Sequence, residues 1–298
     1  MTSKEGAILK SNTVIIKAID EMRGWSERAK QDQHTTALVP TMGALHEGHL
    51  SLIRLAQQKA DRVIVSIFIN PLQFGPKEDF KNYPRTLEKD IDVLTRSRTD
   101  VLFLPRVEEI YPQGFQTKIV VSNLSQYLCG KSRPGHFEGV ATVVLKLFEI
   151  IKPDLAIFGD KDYQQRLMIQ KMVSDLHLNI PILGAPTVRE ADGLAMSSRN
   201  AYLSASERKR ARVLNLALKE AFCLFRAGER DVKKLESMVS KMIDKERPEK
   251  VDYTSVCDLE TLEPLKIIQD KALLAAAVTF GTTRLIDNVI LSVEDETR

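Results

Sequence analysis

Short apolar runs closed by proline or glycine alternate, over the first two-thirds of the chain, with stretches in which apolar residues recur every third or fourth position. Residues 14–16 form the first run, and residues 17–30 follow as an amphipathic helix carrying Ile19, Met22 and Trp25. Residues 37–39 form the second run, which Pro40 ends. From Leu50, the residues Leu50, Ile53, Leu55 and Ala56 predict a helix to about residue 60. Residues 62–70 are β-branched or aromatic almost throughout, the pattern of a strand buried on both faces of a parallel sheet. A helix opens after Tyr83-Pro84-Arg85-Thr86 and carries Asp90, Ile91 and Leu94; residues 101–104 are the next strand, closed by Pro105. Residues 140–151 are an apolar helix, residues 155–158 a strand, and Gln164 and Gln165 start the helix after it. Strand and helix alternating in this way predict βαβ units and a parallel sheet.

The pattern changes near residue 188. Residues 204–250 are rich in charged helix formers, opened by Ser204-Ala205-Ser206-Glu207, which has the form of a capping box. Residues 252–258, 273–280 and 283–290 read as strands with no helices between them, which suits an antiparallel sheet. The predicted fold class is therefore α/β. Residues 1–188 would form a Rossmann-like, doubly wound nucleotide-binding domain, and residues 189–298 a smaller α+β domain serving as a lid.

Chemistry concentrates where strands end. Between the strand at 37–39 and the helix from Leu50 lie Gly43, Gly48 and two histidines, His46 and His49. Glycines let a backbone approach a ligand, and a helix N-terminus offers unpaired N–H groups and a positive dipole end. Histidines at i and i+3 share one side of the first turn, so both rings can donate to a triphosphate. A lone histidine there is often only a cap; two, with two glycines, favour an anion site. Asn70 and Gln73 follow the next strand end, on the side where an open α/β sheet binds ligands. Lys131, Arg133 and His136 could meet phosphate or belong to a solvated loop. Lys161 follows Gly159 at another strand end and suits a phosphate as a point charge, with Asp160 and Asp162 to pair it or to take metal or ribose contacts. Met196-Ser197-Ser198-Arg199 follows Gly193 and could close over an anion, or be a serine-rich turn before a capped helix.

Composition narrows the class. With 43% hydrophobic and 28% charged residues the chain is of ordinary globular type, and a net charge of +3 implies no nucleic-acid partner. No apolar run approaches the roughly 20 residues of a bilayer span, so no membrane role is expected. Residues 1–11 lack the apolar segment of a signal peptide. Cys129, Cys223 and Cys257 fit neither a disulfide framework nor a zinc site, which points to a reducing, cytoplasmic setting.

Pro40-Thr-Met-Gly-Ala-Leu-His-Glu-Gly-His49 resembles the HIGH-type motif of the nucleotidylyltransferase superfamily, and Met196–Arg199 resembles its KMSKS loop with arginine in place of a lysine. Phe68-Ile-Asn-Pro-Leu-Gln-Phe74, Tyr83–Thr86, Ser132-Arg-Pro-Gly-His-Phe137, Gly159-Asp-Lys-Asp-Tyr-Gln-Gln165, Asp192–Asn200 and Arg284-Leu-Ile-Asp-Asn288 resemble, more narrowly, the pantothenate synthetase family. The resemblance implies ATP-dependent condensation of (R)-pantoate with β-alanine through a pantoyl adenylate, releasing AMP and pyrophosphate. It implies an ATP site at Met42, Gly43, Ala44, Leu45, His46, Glu47, Gly48, His49, Gly159, Asp160, Lys161, Asp162, Val188, Met196, Ser197, Ser198 and Arg199. His49, His46 and Lys161 would be catalytic. Gln73 and Gln165 would hold pantoate, with Gln73 also near β-alanine. Magnesium would accompany ATP, with Asp90 as its candidate ligand, and the assembly would be a homodimer. Two other readings are a nucleotidylyltransferase acting on a different acid or alcohol, which would have no need of Gln73 and Gln165, and a non-catalytic nucleotide sensor, which the intact His46, His49, Lys161 and Arg199 disfavour.

Overall fold

The computed structural model describes residues 13–76 and 78–293, so the expectation for residues 1–11 lies outside it. β1 (Val14–Ile16), α1 (Ile19–Gln31), β2 (Thr36–Thr41), α2 (Glu47–Lys59), β3 (Arg62–Ile67), α3 (Leu87–Arg96) and β4 (Val101–Phe103) come first. α4 (Val107–Ile110), α5 (Leu128–Ser132), α6 (His136–Ile151), β5 (Leu155–Gly159), α7 (Tyr163–Asp175) and β6 (Ile182–Ala185) complete the first layer system. Short 3-10 turns stand at Pro71–Gln73 and Asp160–Asp162. The six strands form one sheet, ordered β1-β4-β3-β2-β5-β6, with every pairing parallel.

Side chains alternate across a strand, so a strand covered on both faces must be apolar at successive positions. Ala37, Val39, Val63 and Val65 point to the layer containing Leu52, Ile53 and Ala56 of α2. Leu38 and Ile64 point the other way, to Met22 of α1 and to Val140, Val144 and Leu147 of α6. The continuous apolar runs are thus the mark of a doubly wound sheet.

Pro40 does not end its strand. It pairs in register with Ser66 of β3, although proline cannot donate to a ladder. Thr36 O accepts Asp154 N at 2.9 Å, so Thr36, and by alternation Pro40, turn their backbone groups toward β5. The β2–β5 register stops at Leu38–Ala156, so the missing N–H faces no partner strand. α6 begins at His136, earlier than the predicted residue 140, after Gly135 turns the chain at φ +81°. Its first turn carries functional polar residues, which hide the apolar period there.

The second unit contains α8 (Ala205–Ala211), α9 (Val213–Arg226), α10 (Val232–Lys245), β7 (Lys250–Cys257), β8 (Lys271–Phe280) and β9 (Thr283–Ser292). Its sheet, β7-β8-β9, is antiparallel, as predicted. One face buries Leu274, Ala276 and Val278 against Leu218, Phe225 and Val239 of α9 and α10. The other face carries Cys257, Leu273 and Ala275 into the core that holds α6 and α7. The small sheet is therefore packed onto the large unit and helps to wall the cleft.

α6 approaches the Pro71–Gln73 turn so closely that a Cβ on Gly139 would lie 2.3 Å from Leu72 O and 2.6 Å from Gln73 N. Gly139→Ala should therefore destabilise the protein by about 1–3 kcal/mol from overpacking, despite alanine's better helix propensity. Urea denaturation measures this; a variant as stable as the parent would contradict the close contact.

Candidate active site

β2 runs with β3 as far as Thr41–Ile67 but leaves β5 after Leu38–Ala156. Successive connections go to opposite sides of this gap, which makes it the switch point where open α/β sheets bind ligands. The chain leaves β2 through Gly43 (φ +82°) and Ala44 (φ +51°), a left-handed pair that disfavours a side chain at Ala44. Asp90 of α3 holds this turn: its Oδ2 accepts Ala44 N at 2.9 Å and its Oδ1 accepts Leu45 N at 2.8 Å. Thr86 Oγ1 also donates to Oδ1, at 3.1 Å, and Asp90 is 2% exposed. Asp90, the expected metal ligand, thus has both carboxylate oxygens engaged by the turn. Its carboxylate is buried and occupied by the backbone it shapes.

Beyond the turn, His46 and His49 stack with ring centroids 4.1 Å apart at the start of α2. Gly48 makes room for this, since a Cβ there would lie 2.9 Å from the His46 ring. His49 Nδ1 accepts His46 N–H at 3.3 Å, so in the neutral ring the proton sits on Nε2. Burial, then the neighbouring His46 and Lys161, pull the His49 pKa down to about 3. Burial, then Lys161, pull that of His46 down to about 4. Both rings are therefore neutral at pH 7, carrying N–H donors and no charge. His46 Nδ1 is buried with no hydrogen-bond partner among the described residues.

The cleft above these rings is open to solvent and has a volume of about 240 Å³. Met42, His46, Gly48, His49, Gln73, Gly159, Lys161, Asp162, Gln165, Val188, Met196, Ser197, Ser198 and Arg199 all line it. Gly43, Ala44, Leu45, Glu47 and Asp160, expected beside ATP, do not. The first three form the turn that Asp90 holds, exposed Glu47 pairs with Arg54, and Asp160 pairs with Arg166 at 2.7 Å.

Gln73 is built in from behind. Asn70 Nδ2 donates to Gln73 Oε1 at 3.1 Å and to Gly139 O at 3.0 Å, while its own Oδ1 accepts Tyr111 O–H at 2.8 Å. His136 Nδ1–H donates to Gln73 O at 2.8 Å, and its Nε2 accepts from Arg133 Nη1 at 3.0 Å. Burial, then Arg133, lower the His136 pKa to about 4 against the opposing bond to Gln73 O, consistent with a neutral ring. Arg133 itself pairs with Glu78 through Nε and Nη2 at 2.7 and 2.6 Å. Arg133 and His136 thus support Gln73; neither stands in a solvated loop. Among the described residues Gln73 Nε2 reaches only the Met42 sulfur, at 2.9 Å, a weak acceptor.

The two glutamines at the start of α7 divide their work. Gln164 is buried and spends its amide on Cys129 N, Leu124 O and Tyr127 O. Gln165 faces the cleft and makes no hydrogen bond with the described residues. Val188–Met196 is a tight hairpin, with Met196 N bonded to Val188 O at 2.9 Å and Gly193 (φ +92°) in its turn. It delivers Ser198 Oγ to Ala44 O at 3.1 Å and Arg199 to both oxygens of Asp79 at 2.9 Å. The Ser-Ser-Arg segment is docked across the cleft by these bonds. Sequence reasoning placed Asn70 beside the ligand crevice without its supporting task, and nothing in the sequence marked Asp79.

A doubly wound sheet with neutral imidazoles, a lysine and a serine–arginine loop around its switch point defines a Rossmann-like nucleotide-using enzyme. Comparison with known proteins makes this specific. The sequence profile of the pantoate–β-alanine ligase family matches residues 14–290. The pantothenate synthetase of Geobacter sulfurreducens is 50% identical over 280 residues, 94% of this chain and 99% of that protein. That of Pelotomaculum thermopropionicum is 51% identical over 278 residues, 93% of this chain and 99% of that protein. A crystal structure of the Thermus thermophilus pantothenate synthetase superposes with a TM-score of 0.88 at 42% identity, covering 93% of this chain and 99% of that one. The Francisella tularensis pantoate–β-alanine ligase, crystallised with beta-gamma ATP and β-alanine, gives 0.77 at 35% identity, covering 93% and 97%. The chain belongs to the pantoate–β-alanine ligase family and is an enzyme of the ligase class.

Two outcomes follow. All three rings have folded pKa values below the ordinary histidine value of 6.5, at about 4 (His46), 3 (His49) and 4 (His136), so the unfolded chain binds more protons in that interval. Their contribution to stability is complete above about pH 6.5 and is lost as pH falls toward 4 and then 3. An NMR titration of the ligand-free protein should show no midpoint for these rings between about pH 5.5 and 8; one near 6.5 would contradict the burial argument. Asp90→Asn should cost about 2 kcal/mol in urea denaturation, by turning a donor toward backbone N–H groups, and should leave the magnesium concentration for half-maximal rate unchanged.

Proposed function

We propose that the cleft activates pantoate as an adenylate and transfers its acyl group to β-alanine. The observation that carries this reading is the convergence of two neutral imidazoles and Lys161 on one cleft with the side-chain amides of Gln73 and Gln165. A carboxylate is a poor acylating agent, whereas a mixed anhydride with AMP has a good leaving group. Pantoate's carboxylate oxygen attacks the α-phosphorus of ATP and pyrophosphate leaves. The β-alanine amine then attacks the acyl carbon, loses a proton, and AMP departs.

The first step needs alignment and charge stabilisation more than proton transfer. The His49 Nε2–H and the His46 ring donate to phosphate oxygens as neutral groups, and Lys161 supplies the positive charge. Triphosphate binding itself raises the pKa of both rings by adding negative charge nearby. Gln73 gives up its weak sulfur contact to hydrogen-bond pantoate, Gln165 offers an unspent amide to the same molecule, and Gln73 stands beside the incoming β-alanine. Val188, Met196, Ser197, Ser198 and Arg199 close the nucleotide side. The beta-gamma ATP and β-alanine of the Francisella structure support both substrates.

Magnesium enters this reading with the nucleotide. Among the described residues no group of three or more His, Cys, Asp or Glu side chains could hold a metal, and Asp90 is occupied. The ion would rest on phosphate oxygens, screening their charge, as magnesium commonly does in nucleotide sites. The chain is read as two domains divided near residue 188, as a homodimer and as a cytoplasmic enzyme. Light scattering tests the assembly against the 33.6 kDa chain mass.

Pyrophosphate release from ATP should require pantoate, and AMP release should require pantoate and β-alanine together. Release that proceeds with other carboxylic acids and not with pantoate would overturn the substrate. His49→Ala should lower adenylate formation by roughly 10²- to 10⁴-fold with the fold intact by circular dichroism. Near-normal turnover would remove His49 from the chemistry.

A further inference from the structure

The Arg284–Asn288 segment has no part in the chemistry above, yet it lies against two of the segments that carry it. It occupies the middle of β9, where Arg284, Ile286 and Asn288 alternate with buried Leu285 and Asp287. Asn288 Nδ2 donates to Asp160 O at 3.0 Å and to Lys161 O at 2.9 Å, across the boundary between the two sheets. On the opposite face, Asp287 takes Arg189 Nη1 at 2.6 Å and Nη2 at 3.1 Å, at the root of the hairpin that presents Ser197–Arg199. One dipeptide therefore ties both anion-handling segments to the C-terminal sheet.

Lys161 needs such a tie. Its ammonium has one carboxylate within 4 Å among the described residues, Asp162 at 3.9 Å, and that carboxylate is 47% exposed. A contact that long and wet holds a flexible lysine weakly. The turn that bears it spans only Asp160–Asp162, and a single 3-10 turn has poor internal hydrogen-bond geometry. Its side chain at Asp160 pairs with Arg166 at 2.7 Å, and its backbone is held from outside by an amide that grips two consecutive carbonyls.

We propose that Asn288 is a positioning residue for Lys161: its two hydrogen bonds fix the Asp160–Asp162 turn and aim the ammonium into the cleft, so that the C-terminal sheet sets the geometry of adenylate formation. This rests on the adenylation reading above. It adds that Lys161 is in register for the chemistry only while β9 is seated on the turn. A displacement of about 1 Å in a catalytic group can cost a hundredfold in rate, which sets the scale of the effect.

The test is a double-mutant cycle in pantoate-dependent exchange of labelled pyrophosphate into ATP. Asn288→Ala should lower kcat by about 10- to 100-fold while leaving the pantoate KM within about twofold. In a Lys161→Ala background the same change should cost less than about twofold, because the group it positions is gone. Asn288→Asp keeps the side-chain volume, removes both donors and should behave as Asn288→Ala does; it serves if the alanine variant does not fold. Equal losses in both backgrounds, a rise in KM at constant kcat, or an unaffected kcat in the folded variants would overturn the inference. A wild-type protein that exchanges no pyrophosphate in the presence of pantoate would instead bring down the adenylation reading, and this inference with it.

Discussion

The early parting of β2 from β5 is the constraint from which the rest of the site follows. Their ladder ends at Leu38–Ala156 while β2 continues along β3 to Thr41, so a gap opens at the centre of the sheet with a strand end on either side. That gap lets Pro40 sit in a central strand without stranding a partner. It also sends two chains past one another: the Gly43–Ala44 turn leading to the histidines, and Gly159 leading to Lys161. Each is open on the side that faces the gap, and each is clamped from elsewhere. Asp90 clamps the first through two backbone N–H groups, and Asn288 bonds the second through two carbonyls.

Of the carboxylates, Asp162 alone among the described residues lines the cleft, 3.9 Å from Lys161, and those around it are spent elsewhere. Glu78 is taken by Arg133, Asp79 by Arg199, Asp160 by Arg166 and Asp90 by the backbone. Those pairings leave Lys161, the imidazole N–H groups and the half-exposed Asp162 facing the cavity, an arrangement that accepts an anion without burying an unpaired cation. Neutral histidines suit this better than charged ones, because burying two adjacent imidazoliums beside a lysine would cost several kcal/mol. The lowered pKa values of His46 and His49 are the same statement in protonation terms.

The architecture was legible in the sequence because both sheets write themselves as hydrophobic period. Continuous apolar runs marked the doubly covered strands, and runs without intervening helices marked the antiparallel sheet. The residues on the cleft were legible where chemistry and strand ends coincide, as at His46, His49, Lys161 and Gln73. What escaped was any role defined by a distant partner. Asp90 looks like a metal ligand because an aspartate on a helix says nothing of backbone N–H groups 46 and 45 residues away that will occupy it. Gln164 and Gln165 are chemically identical, and only the start of α7 decides that one is structural and the other faces the cleft. For His136 and Arg133 sequence offered a phosphate contact or a solvated loop, because their task, holding a backbone carbonyl 63 and 60 residues away, leaves no mark in spacing.

The decisive bond is the one the pantoate carboxylate makes. Pantoate labelled with ¹⁸O in its carboxylate, turned over with ATP and β-alanine, reports this directly by mass spectrometry of the nucleotide product. Attack on the α-phosphorus followed by aminolysis leaves one labelled oxygen in the AMP phosphoryl group. Unlabelled AMP, or label in pyrophosphate or phosphate, would contradict the adenylate and with it the roles assigned to the cleft.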